Sequence, residues 1–211
     1  MRDASVEVPP LIDWGVATLA LAGETESGDL HLVKPVGRGV LVAAVDGLGH
    51  GADAAAAARA AVTALDRDGD EFLVPVVRKC HQALVGTRGV VMSLAYLDGV
   101  KRSLTWLGVG NVEGVLLHAD ARARRARGSL VTRGGIVGSE LPPLRADVQP
   151  VAPGDLLIFA TDGIRGGFAE GLPTDATPQQ LADHILARHG KGTDDALVLV
   201  ARYAGGGPVR A

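Results

Sequence analysis

The stretch RGVLVAAVDGLGHGADAAAAARAAV, residues 38–62, connects an apolar run to an alanine-rich segment through a turn that contains Gly47, Gly49 and Gly51. The apolar run predicts a buried strand, and the alanines predict a helix because alanine has the highest helix propensity of all residues. Asp46 ends the apolar run directly before the turn. A strand, a glycine turn and a helix in this order build two kinds of site, one for a dinucleotide and one for metal ions.

The segments on either side of this stretch predict a sheet-rich fold with few helices. Short Val and Leu runs broken by glycine are typical of strands, and the chain has only seven aromatic residues to fill its core. Helices are expected only in two segments after the third strand and one before the last. This order predicts the α+β class, with helices covering a sandwich of antiparallel sheets. The expected strands are Ile12–Ala22, Leu30–Val36, 40–45, 90–97, 101–109, 112–119, a run ending at Asp162, and 195–203; the helices are Ala52–Leu65, Glu71–Val85 and a segment capped by Thr177 and stopped by Gly190.

The composition favours one cytoplasmic domain. A length of 211 residues with 47% hydrophobic content suits a single domain at 1–204, followed by a flexible tail at 205–211. A net charge of −3 argues against a nucleic-acid binder, which must neutralise phosphates. Cys80, the single cysteine, has no partner for an internal disulfide and is expected in the core. Acidic residues and prolines stand where a signal peptide needs a basic region, and we expect neither a signal peptide nor a transmembrane helix.

The glycine spacing of the turn fits a dinucleotide-binding site, but the negative charge of Asp46 does not. Gly47, Gly49 and Ala52 satisfy G-x-G-x-x-G/A. Asp46, however, would stand beside the pyrophosphate, and like charges about 4 Å apart cost on the order of 4 kcal/mol at an effective dielectric near 20. The acid that binds ribose is expected about 20 residues further on, where this chain has the loop DRDGD at 66–70.

The metal interpretation requires further carboxylates at other strand ends, and the sequence has them. Asp162 ends a second apolar run, and the pair Asp194 and Asp195 begins a third. Carboxylates that converge repel one another unless they hold cations, and ligands that are all oxygen favour Mg²⁺ or Mn²⁺. An aspartate before a glycine is also a common turn, so the residues alone leave this alternative open.

Five segments together resemble a known family. ESGDLHL, AAVDGLGHGADAA, LGVGNVEGVLL, PGDLLIFATDGI and GTDDALVLV occur in the order and spacing of the metal-dependent serine/threonine phosphatases, the PPM or type 2C group, in its bacterial SpoIIE-like branch. The resemblance covers residues 27–203, and within the branch the chain is most similar to the small RsbX-type phosphatases of the stressosome pathway. It implies an αββα sandwich and hydrolysis of phosphoserine or phosphothreonine by a metal-activated water.

The resemblance also implies a site with two Mn²⁺ or Mg²⁺ ions. On the matching positions Asp46 would bridge both ions, and the Gly47 carbonyl would bind one of them. Asp162 and Asp194 would bind the other ion. Asp29 would either bind the ion that Gly47 contacts or hold one of its ligands. These are the catalytic and metal-binding residues that the family pattern predicts.

Some positions depart from the family pattern or remain open. Eukaryotic members of the family carry a histidine two places after the bridging aspartate, where this chain has Leu48. His50 is a candidate general acid, but we favour a role in the turn, with water as the proton donor. Of the aspartate pair we favour the first member over Asp195 as a ligand. Asn111 resembles a structural turn residue near the site.

The residues do not identify the phosphate-binding arginine, for which Arg38, Arg88 and Arg165 are candidates. The RsbX-type resemblance implies a phosphorylated protein substrate, in particular the stressosome scaffold proteins, with no nucleic acid and no membrane as partner. Two other hypotheses are a dinucleotide-binding oxidoreductase of the Rossmann type and a catalytically degenerate phosphatase fold that only docks a partner.

Overall fold

The computed structural model describes residues 10–69, 72–120, 127–173 and 175–205, and these parts form ten strands and three helices. The helices are α1 (Gly51–Asp68), α2 (Leu73–Ala83) and α3 (Pro178–His189). The strands are β1 (Ile12–Leu19), β2 (Asp29–Val36), β3 (Gly39–Gly47), β4 (Val90–Asp98), β5 (Ser103–Val109), β6 (Glu113–Leu117), β7 (Arg127–Ser129), β8 (Asp147–Pro150), β9 (Leu156–Ala160) and β10 (Ala196–Tyr203).

The strands form two five-stranded sheets with the orders β1-β10-β9-β6-β7 and β2-β3-β4-β5-β8. Every paired strand in both sheets is antiparallel to its neighbours. The predicted antiparallel sandwich is therefore confirmed. The dinucleotide-binding alternative is wrong, because that fold requires a mostly parallel sheet with helices between successive strands.

The residues of strand β3 pack into two different hydrophobic cores. Its alternate residues point to opposite faces of the sheet. Val40, Val42 and Ala44 pack in the core between the two sheets, whereas Leu41 and Ala43 belong to the core beneath α1 and α2. Both sets are almost fully buried, which explains why this segment is a continuous apolar run instead of an alternating one.

The helices cover the outer faces of the sandwich. The buried face of α1 consists mostly of alanines, and α2 packs beside it over the same sheet. Cys80 lies in this core as predicted, with its thiol facing the carbonyl oxygen of Ala61 at 3.8 Å. Burial raises the pKa of Cys80 to about 12, so the group stays a thiol at physiological pH.

Helix α3 covers the other sheet and begins and ends where its sequence predicts. The Thr177 hydroxyl accepts from the Gln180 amide at 3.2 Å, and the Gln180 side chain accepts from the Thr177 amide at 3.0 Å, which completes a capping box. Gly190 caps the carboxyl end. Gln179 bonds both backbone groups of Val16, so α3 also covers the free edge of β1.

Several element boundaries differ from the predicted ones. β1 stops at Leu19 instead of Ala22, since Leu19 pairs with Ala196, the first residue of β10. β9 ends at Ala160 and leaves Asp162 in the following turn. α2 begins at Leu73; Glu71 lies outside the described residues.

The domain limits at 1–204 stay a prediction. Of the predicted tail at 205–211, residues 206–211 lie outside the described residues. No helix in the described ranges is both long enough and apolar enough to cross a membrane.

Candidate functional site

Asp29 and Asp46 lie opposite one another at one end of the β2–β3 pair. They are register partners, Asp29 as the first residue of β2 and Asp46 as the second-last residue of β3. Directly opposed residues in an antiparallel pair have Cβ atoms about 5 Å apart. Asp29 is only 3% exposed. The fold thus brings two carboxylates together in a largely buried place, as the metal hypothesis requires.

Thr161 ties Asp29 to the other sheet. Its hydroxyl donates to the Asp29 carboxylate at 2.7 Å and accepts from the backbone amide of Leu197 at 2.8 Å. Because Thr161 and Leu197 belong to the β9–β10 region, these bonds fix the Asp29 side chain from across the sandwich. Sequence reasoning missed Thr161, since no local pattern marks a threonine as a partner of an aspartate 132 positions away.

Asp162 and Asp194 lie in the turns that follow β9 and precede β10. Both are half-buried. Asp162 accepts a hydrogen bond from the side-chain amide of Asn111 at 2.9 Å, and Asp194 accepts one from the backbone amide of Asp195 at 2.9 Å. Asn111, expected as a turn residue near the site, therefore contacts one of the predicted ligands directly.

Asp195 has a different set of contacts from its neighbour. It is buried, and its two carboxylate oxygens accept from the backbone amides of Leu21 at 2.8 Å and Gly28 at 2.7 Å. The side chain thereby holds the loop that leads into Asp29. The sequence marks Asp195 only as the second member of an acidic pair, and its contact with a loop some 170 residues away could not be inferred from it.

The glycines after Asp46 and Asp162 are required by close packing. A Cβ on Gly47 would lie 2.2 Å from the Ala54 carbonyl oxygen of α1, and one on Gly163 would lie 1.9 Å from the Asp195 carbonyl oxygen. Neither distance is possible for a real side chain. The repeated Asp-Gly pattern thus marks two places where the backbone beside a carboxylate is pressed against another segment.

The electrostatics of the cluster disfavour its ionised form. Burial raises the pKa of Asp46 to about 8, and repulsion from Asp29, Asp162, Asp194 and Asp195 acts in the same direction. Burial also raises the pKa of Asp29 to about 7, which the Thr161 hydrogen bond partly opposes and repulsion from the other aspartates reinforces. A bound cation would remove this penalty.

The donors present fit a hard divalent cation by chemistry and by charge. Carboxylate and carbonyl oxygens are the ligands that Mg²⁺ and Mn²⁺ prefer. In the described part of the chain no three Asp, Glu, His or Cys side chains already form a metal-binding group. The fit therefore rests on the oxygen donors and the uncompensated negative charge, and not on a preformed ligand cage.

His50 and Arg88 lie in or beside the glycine turn. His50 is the N-cap residue of α1, and its Nδ1 lies 2.6 Å from the Glu24 carboxylate. The Arg88 guanidinium donates to the Asp53 carboxylate at 2.8 Å. Its other terminal nitrogen lies against Gly49, only 2.8 Å from the position that a Cβ on this glycine would occupy. Each of these side chains is about half exposed or more.

The other two candidate arginines are bonded to other parts of the chain. Arg38 is bonded to Asp98 at the opposite end of β3. Arg165 donates to the carbonyl oxygen of Gly190 at 2.5 Å. Arg88 is therefore the one of the three that adjoins the turn after Asp46.

Comparison with known proteins matches this chain to a family over most of its length. Residues 37–204 match the family Stage II sporulation protein E (SpoIIE). The phosphoserine phosphatase RsbX of Bacillus subtilis (strain 168) is 28% identical over 94 residues, which are 44% of this chain. The match spans 47%, about half, of the length of that curated relative.

Solved structures share the fold over almost the whole chain. A chain from a structure described as the bacterial stressosome, a modular system adapted to control secondary messenger signaling, is 31% identical with a TM-score of 0.82, covering 90% of this chain and 99% of that one. RsbX in complex with magnesium has a TM-score of 0.78 at 20% identity, covering 92% of this chain and 96% of that one.

Proposed function

This chain belongs to the SpoIIE family of PPM phosphatases, and we propose that it is a metal-dependent protein phosphatase that hydrolyses phosphoserine and phosphothreonine. One observation carries the proposal. Asp29 and Asp46 are buried side by side, with Asp162 and Asp194 near enough to raise the pKa of both. Such a concentration of negative charge opposes folding unless it serves to hold cations.

We assign the cluster two Mn²⁺ or Mg²⁺ ions. Asp46 would bridge them, the Gly47 carbonyl would bind one, and Asp162 and Asp194 would bind the other. Asp29 would bind the first ion or orient one of its ligands. The hydrogen bonds of Asp195 support the choice of Asp194, because both oxygens of Asp195 are already engaged by backbone amides.

The residues around the cluster supply orientation. When bound, divalent ions supply an acidified water and neutralise charge on the phosphoryl oxygens. Thr161 fixes the Asp29 carboxylate, and Asn111 fixes that of Asp162. Cys80, the only thiol of the chain, is buried beneath α1 with a pKa of about 12, so it is unsuited to act as a nucleophile.

We assign proton donation to the leaving seryl oxygen to water. His50 lies at the start of α1, where its Nδ1 contacts the Glu24 carboxylate at 2.6 Å. Its side chain is 59% exposed, so the solvent water that we favour as the proton donor reaches the same place.

The proposed substrates are phosphorylated stressosome scaffold proteins in the cytoplasm. Two findings support this assignment: the local match to a phosphoserine phosphatase and the 31% identity to a chain from a stressosome structure. The single, buried cysteine also suits a reducing compartment.

The activity is tested with p-nitrophenyl phosphate in the presence of Mn²⁺, of Mg²⁺ and of EDTA. Hydrolysis is expected with either metal and should be lost in EDTA and in Asp46→Ala. The matched control is Asp183→Ala, which removes an exposed carboxylate on α3. Activity that survives EDTA, or that is unchanged in Asp46→Ala, refutes the mechanism.

The substrate is tested separately by incubation with a phosphorylated stressosome scaffold protein, followed by phosphate release and mass spectrometry. Loss of phosphate supports the assignment. If the protein hydrolyses p-nitrophenyl phosphate but leaves the scaffold protein phosphorylated, the phosphatase assignment stands and the substrate assignment is refuted. Failure to bind Mn²⁺ in calorimetry, together with no hydrolysis, indicates the degenerate docking module instead.

A further inference from the structure

A cavity of about 780 Å³ lies at the end of the β2-β3-β4-β5-β8 sheet opposite to the carboxylates, and is here called the distal cavity. Its lining includes Arg38, next to Gly39 at the start of β3, whereas Asp46 and Gly47 end that strand. Eight steps of about 3.3 Å separate the two ends of β3 by roughly 26 Å. The distal cavity is therefore separate from the proposed catalytic site.

The floor of the distal cavity is a row of side chains across three strands. Tyr96 on β4 is the register partner of Thr105 on β5, which is the partner of Val148 on β8. Register partners project from the same face of a sheet, so these three form one continuous surface. Phe72 and Leu73, at the start of α2, form the opposite wall.

Two apolar residues of the distal cavity are largely exposed, one in the wall and one in the floor. Phe72 is 88% exposed and Val148 is 63% exposed, although both are large apolar side chains. Exposed apolar surface that borders a concave site marks a place where another molecule binds. The aromatic rings of Phe72 and Tyr96 could both contact a flat apolar group.

The acidic group at the distal cavity is already neutralised by the protein. The Asp98 carboxylate accepts from the Arg38 guanidinium at 3.0 Å and from the backbone amides of Val100 at 3.0 Å and Lys101 at 2.9 Å. Burial alone would raise the pKa of Asp98, but these hydrogen bonds outweigh it and hold that pKa below its usual value. The charges of Arg38 and Asp98 thus compensate one another.

Three polar groups of the lining keep unused bonding capacity. The Lys101 ammonium has no acidic partner, and the half-buried hydroxyls of Ser103 and Thr105 make no hydrogen bond, within the ranges that the structure describes. The described part of the distal cavity therefore presents one uncompensated positive charge and two free hydroxyls beside an apolar wall.

We propose that the distal cavity binds a small organic anion with an apolar body, its anionic group at Lys101 and its apolar part against Phe72 and Tyr96. The volume lies within the range of small-molecule sites, which are mostly apolar with a few polar groups that fix orientation. This site does not depend on the proposed phosphatase activity, because none of its lining residues belongs to the carboxylate cluster.

The test uses two fluorescent probes that differ only by the anionic group. 1-Anilinonaphthalene-8-sulfonate carries a sulfonate, and N-phenyl-1-naphthylamine is its neutral analogue. Both are titrated into the full chain in EDTA, so that no metal ion attracts the sulfonate. The wild type should bind the sulfonate saturably at one site, about 10-fold more tightly than the neutral probe, because a charge-assisted hydrogen bond is gained.

The variants assign that binding to the distal cavity. Lys101→Met should weaken sulfonate binding about 10-fold and leave the neutral probe unchanged, whereas Phe72→Ser should weaken both about 5-fold. The controls are Lys191→Met and Val131→Ser, which alter an exposed lysine and an exposed apolar residue outside the lining. All four side chains are exposed, and circular dichroism checks that each variant folds.

Three results overturn the proposal. No saturable binding of the sulfonate to the wild type shows that the distal cavity is not a ligand site. Equal losses in the control variants place the probe elsewhere. Equal affinities of the two probes, with both lost in Phe72→Ser, show a purely apolar surface suited to a protein partner instead of an organic anion.

Discussion

The metal-free protein should lose stability as the pH rises, and Asp46→Asn should remove much of that loss. Burial and repulsion raise the pKa of Asp46 to about 8, against 3.8 in the unfolded chain. A raised carboxyl pKa means that the folded state binds more protons than the unfolded state between these two values. Stability from this group is therefore lost as the pH rises from about 4 to about 8.

The magnitude follows from the width of the pH window. Between pH 5 and pH 8 the Asp46 carboxyl is driven toward its ionised form over three pH units, each worth about 1.36 kcal/mol. The expected loss in the free energy of unfolding from this residue alone is thus about 4 kcal/mol. For a chain of this size it corresponds to a fall in Tm on the order of 10 °C.

The assay is thermal unfolding in EDTA at pH 5 and pH 8, followed by circular dichroism. Asparagine at position 46 cannot ionise, so Asp46→Asn escapes the loss that the wild type suffers. The Tm of the variant minus the Tm of the wild type should therefore be about 10 °C larger at pH 8 than at pH 5. Asp183→Asn, on the exposed face of α3, is the control. The reasoning is refuted if the gap is the same at both pH values, or if it widens equally in the control.

Four further variants test the surroundings of the cluster. Thr161→Val removes the hydroxyl that donates to Asp29 and should lower kcat/KM about 10-fold, with Thr161→Ser restoring most of it. Asp195→Asn leaves one of two backbone amides unpaired and should lower Tm by about 5 °C, which unfolding measures. His50→Ala should change kcat less than about 3-fold if water is the proton donor; a larger fall that follows pH identifies His50 as the acid. Arg88→Ala should raise the KM for p-nitrophenyl phosphate about 5-fold with little change in kcat if its guanidinium contacts the phosphoryl group; an unchanged KM removes it as a candidate.

The elements that the sequence predicts well are those specified by local signals. Helix α3 needs only Thr177, Pro178 and Gly190 to define its ends, and each is at its expected place. The interior strand β3 is recognisable because a continuous apolar run of that length suits a strand buried on both faces. Boundaries such as Leu19 were missed because they depend on where the partner strand ends.

The carboxylates of the candidate site could be found from the sequence, but the side chains that orient them could not. Asp46, Asp162 and Asp194 stand next to apolar runs, so strand prediction already places them at strand ends. Thr161 and Asp195 act through bonds to Asp29 and Gly28, and those bonds exist only because the two sheets pack face to face. The distal cavity is likewise formed by residues from several elements that no short motif connects.

The carboxylate cluster is also where burial and charge repulsion oppose folding most strongly. Elsewhere in the described chain a buried carboxylate is neutralised by donors of the protein itself, as for Asp98 and Asp155. Asp46 is instead surrounded by other carboxylates, and the structure provides it with no cation of its own among the described residues. A sequence keeps such a local conflict where function requires it. Gly47 and Gly163, which follow Asp46 and Asp162, have no room for a side chain, so the close packing beside both carboxylates depends on glycine at these positions.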